Sequence, residues 1–204
     1  MMKPSIRVSV VSLIAALLTG PVTSTAAPIA FGASFFDVID HGSPILWENA
    51  RLAAEALTHN GVQGHLAVIT SAAEDNFIAT SFSVYFNPID ATIPGAPFVF
   101  FGPWIGLFAP ANSNNPADYA WVTGEALTYQ NWRSGEPSGD GRHVHYLSAT
   151  DFPALLGWND QNLGTSPRRY IVEFPNAAAV PEPGSLTILG LGLGALIALR
   201  RRNK

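Results

Sequence analysis

The sequence predicts an α+β domain, and three observations carry the prediction. Two segments with helix-start signals and helical spacing lie early, between residues 43 and 82. Short apolar or alternating runs bounded by turn residues follow them. The connections between those runs are long and rich in Gly, Pro and Asn, as in domains whose helices and strands are segregated. In order, residues 31–40 read as a first strand with Phe31, Phe35 and Phe36 as apolar positions. Ser43-Pro44 supplies a capping hydroxyl and then a proline suited to the first helical position. Trp47, Ala50, Arg51, Ala54 and Leu57 share one helical face, and Asn60-Gly61 marks the helix end. Residues 64–69 form a short buried strand. Ser71 and Glu74 have the spacing of a capping box, opening a second helix that carries Phe77, Ile78 and Phe82.

Residues 83–101 are irregular, with Pro88, Pro94 and Pro97 among several Phe. Trp104-Ile105-Gly106-Leu107 is the next strand, residues 111–118 a polar Asn/Pro loop, and Trp121-Val122-Thr123-Gly124-Glu125 a strand ending in a turn. Residues 127–132 lead into a Glu-Pro loop. Residues 143–147 alternate and read as a strand, 157–160 as a loop or strand edge, and 170–174 as the strand that closes the sheet. No internal repeat is present.

The two ends lie outside this fold. Lys3 and Arg7 precede an apolar run from Val8 to Leu18, and Ser24-Thr25-Ala26 offers the small residues a signal peptidase reads, so residues 1–27 are expected to be a signal peptide. At the other end Pro181-Glu182-Pro183 precedes an apolar run from Leu186 to Leu199 and a terminal Arg200-Arg201-Arg202-Asn203-Lys204 cluster. The run is shorter than the ~20 residues of a full membrane span, and its basic end belongs on the cytoplasmic side. This order resembles the PEP-CTERM sorting signal of Gram-negative bacteria. The resemblance implies processing by an exosortase, transient insertion of the tail in the membrane, and delivery to the cell surface or extracellular matrix; a plain C-terminal anchor is the other reading. The expected organisation is a signal peptide over 1–27, one domain over 28–176 and a sorting tail over 177–204.

Charge narrows the partners. Six of the 11 basic residues lie in the two ends, whereas all 15 acidic residues lie between Asp37 and Glu182. Residues 28–176 therefore set five basic residues against 14 acidic ones. Nucleic acid is excluded as a partner, because phosphate binding needs a basic face, and a divalent cation is favoured by such a field. With no cysteine, disulfides, thiol nucleophiles and thiolate metal sites are excluded too. The domain must rest on its core, for which about 150 residues suffice.

Two stretches carry the chemistry. Trp158-Asn159-Asp160 places two oxygen-bearing side chains at one corner, and Glu136-Pro137-Ser138 adds a third beside a proline that can hold a cis bond. Hard cations such as calcium want several oxygens converging from separate segments. Trp132, Trp158 and Tyr146 flank the site in sequence and suit a polyol such as a sugar. Read alone, 136–141 is also an ordinary polar turn.

The series helix, Gly-His-Leu-Ala-Val-Ile-Thr-Ser (64–71), helix, Trp-Ile-Gly-Leu (104–107), Trp-Val-Thr-Gly-Glu (121–125), Asn-Trp (131–132), Gly-Glu-Pro (135–137), Trp-Asn-Asp (158–160) and a final apolar strand resembles a C-type lectin-like domain over residues 31–175. The resemblance implies a fold with paired N- and C-terminal strands and a long loop region. It also implies a calcium ion ligated by Glu136, Asn159 and Asp160, with Asp140 and Ser138 as helpers, that holds two sugar hydroxyls. Pro137 matches a proline that is often cis; Trp104 and Trp121 match core positions. Two departures stand out: Ser138 replaces the expected Asn or Asp, and Arg142 brings a cation near the carboxylates. The implied function is an exported module binding extracellular polysaccharide or glycoconjugate through Glu136, Ser138, Asn159, Asp160, Trp158 and Trp132, with calcium. The alternative is a calcium-independent protein-interaction or matrix-structural module, using the aromatic-rich 83–101 stretch as its contact patch.

Other constellations are weaker. His143 and His145 alternate on one strand, near Asp140 and Asp151, but read as the surface of an edge strand rather than a metal pair. His65 is expected to hydrogen-bond within the core. Glu136 and Asp160 as a glycosidase acid and base would need a substrate cleft between them, and no Ser lies in a nucleophile motif. A non-enzymatic protein is expected.

Overall fold

A computed structural model describes residues 27–86, 99–149, 156–161 and 167–175. The signal segment, Asp151, most of the 83–101 stretch and the sorting tail lie outside the described residues. The strands are β1 (Ile29–Phe31), β2 (Ser34–Asp40), β3 (Thr58–His59), β4 (Val62–Gln63), β5 (His65–Leu66), β6 (Val99–Phe108), β7 (Ala120–Trp121), β8 (His143–Ala149), β9 (Gly157–Gln161) and β10 (Arg169–Pro175). The helices are α1 (Trp47–Ala56) and α2 (Ala72–Ser81), with single turns of tighter helix after α2 at Ser83–Tyr85 and between β6 and β7 at Pro116–Asp118. The main sheet runs β1-β2-β10-β6-β8-β9, with β5 added to β10 and β7 to β6. β2 and β10 pair antiparallel from Asp40↔Arg169 to Ser34↔Pro175, so the two ends of the domain are zipped together. Among the described residues no helix is long and apolar enough to cross a membrane.

The sheet has a buried face on each side, and strand alternation decides which side chain goes where. One face packs Ile39, Trp104, Tyr170, Val172 and Phe174 against Trp47, Ala50 and Ala54 of α1. The small alanines bring the helix close, and the two indoles are tied across it: Trp47 Nε1–H donates to the Ile105 carbonyl and Trp104 Nε1–H to the Ile45 carbonyl, both at 2.8 Å. The other face packs Phe36, Val38, Ile105, Leu107, Val144, Tyr146 and Ile171 against Ile78, Phe82, Trp121 and Trp158, beneath α2 and the long loop.

Several expectations are corrected. The first strand is a hairpin, β1 and β2, turning at Gly32. α1 begins at Trp47, after Leu46, which gives no side-chain cap, and not at Ser43-Pro44. It ends at Ala56. Asn60-Gly61 is instead the turn of the β3–β4 hairpin, with φ of 51° and 80°, the left-handed pair that Asn-Gly adopts most readily. α2 starts where its capping box places it: Glu74 N–H donates to Ser71 Oγ at 3.2 Å. The Glu74 carboxylate reaches one residue further back, to Thr70 N–H at 2.7 Å. The buried stretch after Gly64 is a strand only over β5.

β8 is not an edge strand. It lies between β6 and β9, and both of its histidines are buried on the α1 face. His143 stacks on Trp47 with ring centroids 4.6 Å apart, and His145 meets Trp104 edge-on at 5.6 Å. Burial pushes both down to about 4, so they are neutral packing groups. His65 Nδ1 lies 2.9 Å from the Leu66 carbonyl and is half-buried.

Candidate functional site

The candidate site lies where the end of β9 meets the loop between Trp132 and β8. Two backbone bonds fasten this loop to β9: Trp158 N–H donates to the Asn131 carbonyl at 2.7 Å, and Arg133 N–H to the Trp158 carbonyl at 3.0 Å. They require Gly157, because a Cβ there would press on Arg133 N and Cα and the Asn131 carbonyl, each at 3.1 Å. Asp75, buried on α2, anchors the same segment from below. Its carboxylate accepts from Asn131 Nδ2 at 2.6 Å, Tyr129 hydroxyl at 3.1 Å, and the Tyr146 hydroxyl. Sequence reasoning missed Asp75 because nothing local marks a helix carboxylate as inward-facing.

The loop then turns at a Glu136 N–H to Arg133 carbonyl bond (2.8 Å) and passes the Glu136–Pro137 bond, which is cis. Beyond it the chain wraps around Asp160. Ser138 N–H donates to Asp160 Oδ1 at 2.7 Å, while Gly139 N–H and Gly141 N–H donate to Oδ2 at 2.9 and 3.1 Å. Ser138 Oγ adds a longer contact at 3.4 Å. Gly139 has φ +84°, a conformation open to glycine at no cost, and it is this turn that aims successive amides inward. Asp160 itself has no exposed surface. Glu136 lies against it: burial first, then a hydrogen bond shared with Asp160 and the Asp160 charge, hold the Glu136 carboxyl above the usual carboxylate range. Its Oε2 is buried with no hydrogen-bond partner. Asp140 is held up as well, by partial burial and then by Asp160. Tyr119, beneath the three carboxylates, is pushed above its ordinary value by burial and then by Asp160 and Asp140.

Asn159 goes the other way. β9 pairs Asn159 with His145 and Asp160 with Val144, so the two side chains leave opposite faces of the strand. Asn159 Nδ2 lies 3.1 Å from His145 Nε2 and donates to the Asp160 carbonyl at 2.8 Å. Trp158 is fully buried, meeting Trp121, Tyr129 and Trp132 edge-on at 5.6, 5.7 and 6.0 Å; it is a core residue with no surface for a ligand. Trp132 is half-buried against Tyr119. Arg142 does not lie between the carboxylates. Its Nη1 donates to the Pro110 carbonyl at 3.2 Å and its Nη2 is 3.9 Å from Glu48.

These residues do not fit a calcium ion as arranged. Glu136 offers one free oxygen, Asp160 is fully engaged by backbone amides, and the Asn159 amide lies on the other side of the strand. Among the described residues no three His, Asp or Glu side chains are placed to hold a metal.

The exposed rim of the site has a second wall, the loop around the Pro116–Asp118 turn. Asn112 Nδ2 donates to the Asp140 carbonyl at 3.2 Å, and Gly139 lies so close to Asn114 that an added Cβ would meet its backbone and Cβ at 3.3 Å. Asn115 caps the Pro116–Asp118 turn by accepting from Ala117 N–H, and Tyr119 hydroxyl donates to the Ser113 carbonyl at 2.9 Å. The cap-then-proline pair Asn115-Pro116 is the sequence signal that could have shown an ordered loop here.

Crystalline C-type lectin CEL-I from Cucumaria echinata superimposes on 73% of this chain and 95% of its own, with a TM-score of 0.53 at 20% identity. The fold is C-type lectin-like. Two proteins are similar in sequence. Halomucin of Haloquadratum walsbyi is 27% identical over 143 residues, 64% of this chain and 1% of halomucin. The alpha-N-acetylgalactosamine-specific lectin of Patiria pectinifera is 30% identical over 124 residues, 58% of this chain and 62% of that lectin. The lectin-like chain therefore spans less than two thirds of either relative. Its residues 179–202 match the PEP-CTERM protein-sorting motif.

Proposed function

We propose that this chain is an exported, non-enzymatic module that captures extracellular polysaccharide or glycoconjugate at the joined rims of the 112–118 and 134–141 loops. The observation that carries the reading is the ordered polar rim itself: Asn112, Asn114, Ser138 and Asp140 are exposed, and their backbones are already fixed. Hydroxyl and amide groups held in place bind sugar hydroxyls without a further ordering cost. The half-buried Glu136 adds an acceptor, and Trp132 is the aromatic nearest the surface of this loop. Asn159, Asp160 and Trp158 support the rim from within rather than touch ligand. Likeness to a lectin in Patiria pectinifera supports a glycan as the ligand class.

Capture rests on direct hydrogen bonds in this reading, without calcium. Hydrolysis is disfavoured because Asp160 is fully buried and taken up by the Ser138, Gly139 and Gly141 amides instead of facing Glu136 across a cleft. The sorting motif supports export to the envelope of a Gram-negative bacterium, with an exosortase acting on the tail; in this reading residues 1–27 are removed as a signal peptide, which rests on their basic start and apolar run alone. The test is a panel of immobilised glycans probed with the full chain and with Asp140→Ala and Asn114→Ala. Retention of particular glycans that weakens about tenfold in both variants is expected. Retention of none would leave the protein-interaction or matrix-structural reading in its place, and retention unchanged by both variants would move the glycan elsewhere on the surface.

A further inference from the structure

The geometry points to a loop organised by its own carboxylate: Asp160, seated in the amide nest of Ser138-Gly139-Asp140-Gly141, takes the place of a calcium ion in fixing the 136–141 corner. An ionised carboxylate has two oxygens and about four acceptor positions. Three are filled by the Ser138, Gly139 and Gly141 amides, at 2.7, 2.9 and 3.1 Å. The Ser138 hydroxyl, at 3.4 Å from Oδ1, takes the fourth. No lone pair is left for a cation, and three N–H dipoles pointing at one spot make it a seat for negative charge.

The surrounding residues agree with this role. Gly139 adopts φ +84°, which turns its amide and that of Ser138 to the same side. A side chain at 139 would also meet Asn114 at 3.3 Å, so the glycine serves both the nest and the contact with the facing loop. Asp160 is completely buried, as a structural acceptor should be, where a metal ligand at an exchanging site would need access. Its neighbour Asn159 leaves the other face of β9, with its Nδ2 beside His145, away from the Asp160 carboxylate. The departures at this corner then have one physical reading: Ser138 and the Gly-Asp-Gly stretch build a carboxylate seat from backbone. The consequence is a binding rim that keeps its shape whether calcium is present or absent.

This concerns the same loop as the proposed glycan surface, but it does not depend on the ligand, because loop order can be read with no sugar present. The experiment is amide hydrogen exchange on the full chain by NMR, in EGTA and in millimolar calcium. It is repeated on Asp160→Asn and Gly139→Ala, with calcium binding to the wild type followed by calorimetry. In the wild type the Ser138, Gly139 and Gly141 amides should exchange at least about tenfold more slowly than exposed loop amides, alike in EGTA and calcium, with no calcium heat at micromolar concentrations. Both variants should lose that protection while the β2–β10 amides keep theirs. Protection that appears only with calcium, a stoichiometric micromolar calcium site, or protection that survives Asp160→Asn overturns the inference. Should either variant fail to fold, the wild-type comparison in EGTA and calcium still decides it.

Discussion

Asp75 and Asp160 do comparable work at the scale of single residues: each is a buried carboxylate whose cost is met by three close donors, all from the 138–141 loop for Asp160, and from Tyr129, Asn131 and the β8 residue Tyr146 for Asp75. A buried charge that loses its partners, or partners that lose their charge, is worth several kcal/mol. Asp75→Ala strands two tyrosine hydroxyls and an asparagine amide, and should destabilise the domain by about 3 kcal/mol in urea unfolding; a loss below about 1 kcal/mol would contradict the network. Titration adds a second prediction. His143 and His145 are pushed down to about 4 by burial, so the folded state excludes protons that the unfolded chain takes up. Stability should fall as pH drops from about 6.5 toward 4, by of order 2 kcal/mol per histidine at pH 5. Glu136 acts with the opposite sign. Its raised value means the folded state binds that proton more tightly, which opposes folding fully above the raised value and fades away only as the pH falls to the ordinary carboxylate value. Glu136→Gln should therefore be more stable than wild type at pH 7.5, with the advantage shrinking at pH 5, as urea midpoints at the two pH values would show. None of this was legible in the sequence beyond the candidate carboxylates. Which way Asn159 and Asp160 point depends on the register of β9 against β8, and a one-residue step reverses the face.

Elements were legible where local chemistry decides them. α2 announces itself through Ser71 and Glu74, and β10 through its apolar run. α1 was misplaced at both ends, because Ser43-Pro44 looks like a cap while burial of Ile45 and Trp47 fixes where the turn begins. Asn60-Gly61 signals a hairpin as strongly as a helix stop, and here the flanking Thr58–His59 and Val62–Gln63 pair. The histidines of β8 suggest a surface strand because histidine is usually exposed; stacking of His143 on Trp47 of α1 makes the strand interior. The Trp-Ile-Gly-Leu run shows why sequence order was informative. Gly106 passes against the backbone of 66–67, so that a Cβ would lie 2.6 Å from the Leu66 carbonyl and 3.1 Å from that of Ala67. Gly106 N–H donates to the Ala67 carbonyl across the same gap, at 2.9 Å. Gly106→Ala should cost at least about 2 kcal/mol, since backbone cannot step aside as a side chain can. Denaturant unfolding checks this, and a neutral result would mean the 66–67 segment moves freely from β6.

The whole molecule is a lectin-like domain followed by a sorting tail. β2 and β10 are paired along their length, so the two ends of the described domain lie together, while the 112–118 and 134–141 loops join strands on the β6-β8-β9 side of the sheet. That separation suits a domain delivered through its tail and used through its loops. The acidic middle makes it a poor partner for polyanions, and neutral or cationic glycans are the expected targets. The most direct measurement is calorimetric titration of the full chain with a glycan retained in the panel, first in EGTA and then in excess calcium. The account predicts the same dissociation constant within about twofold in both, and loss of binding in Asp160→Asn. Binding that vanishes in EGTA, or tightens tenfold or more with calcium, would show that a metal and not the Asp160 carboxylate shapes the rim.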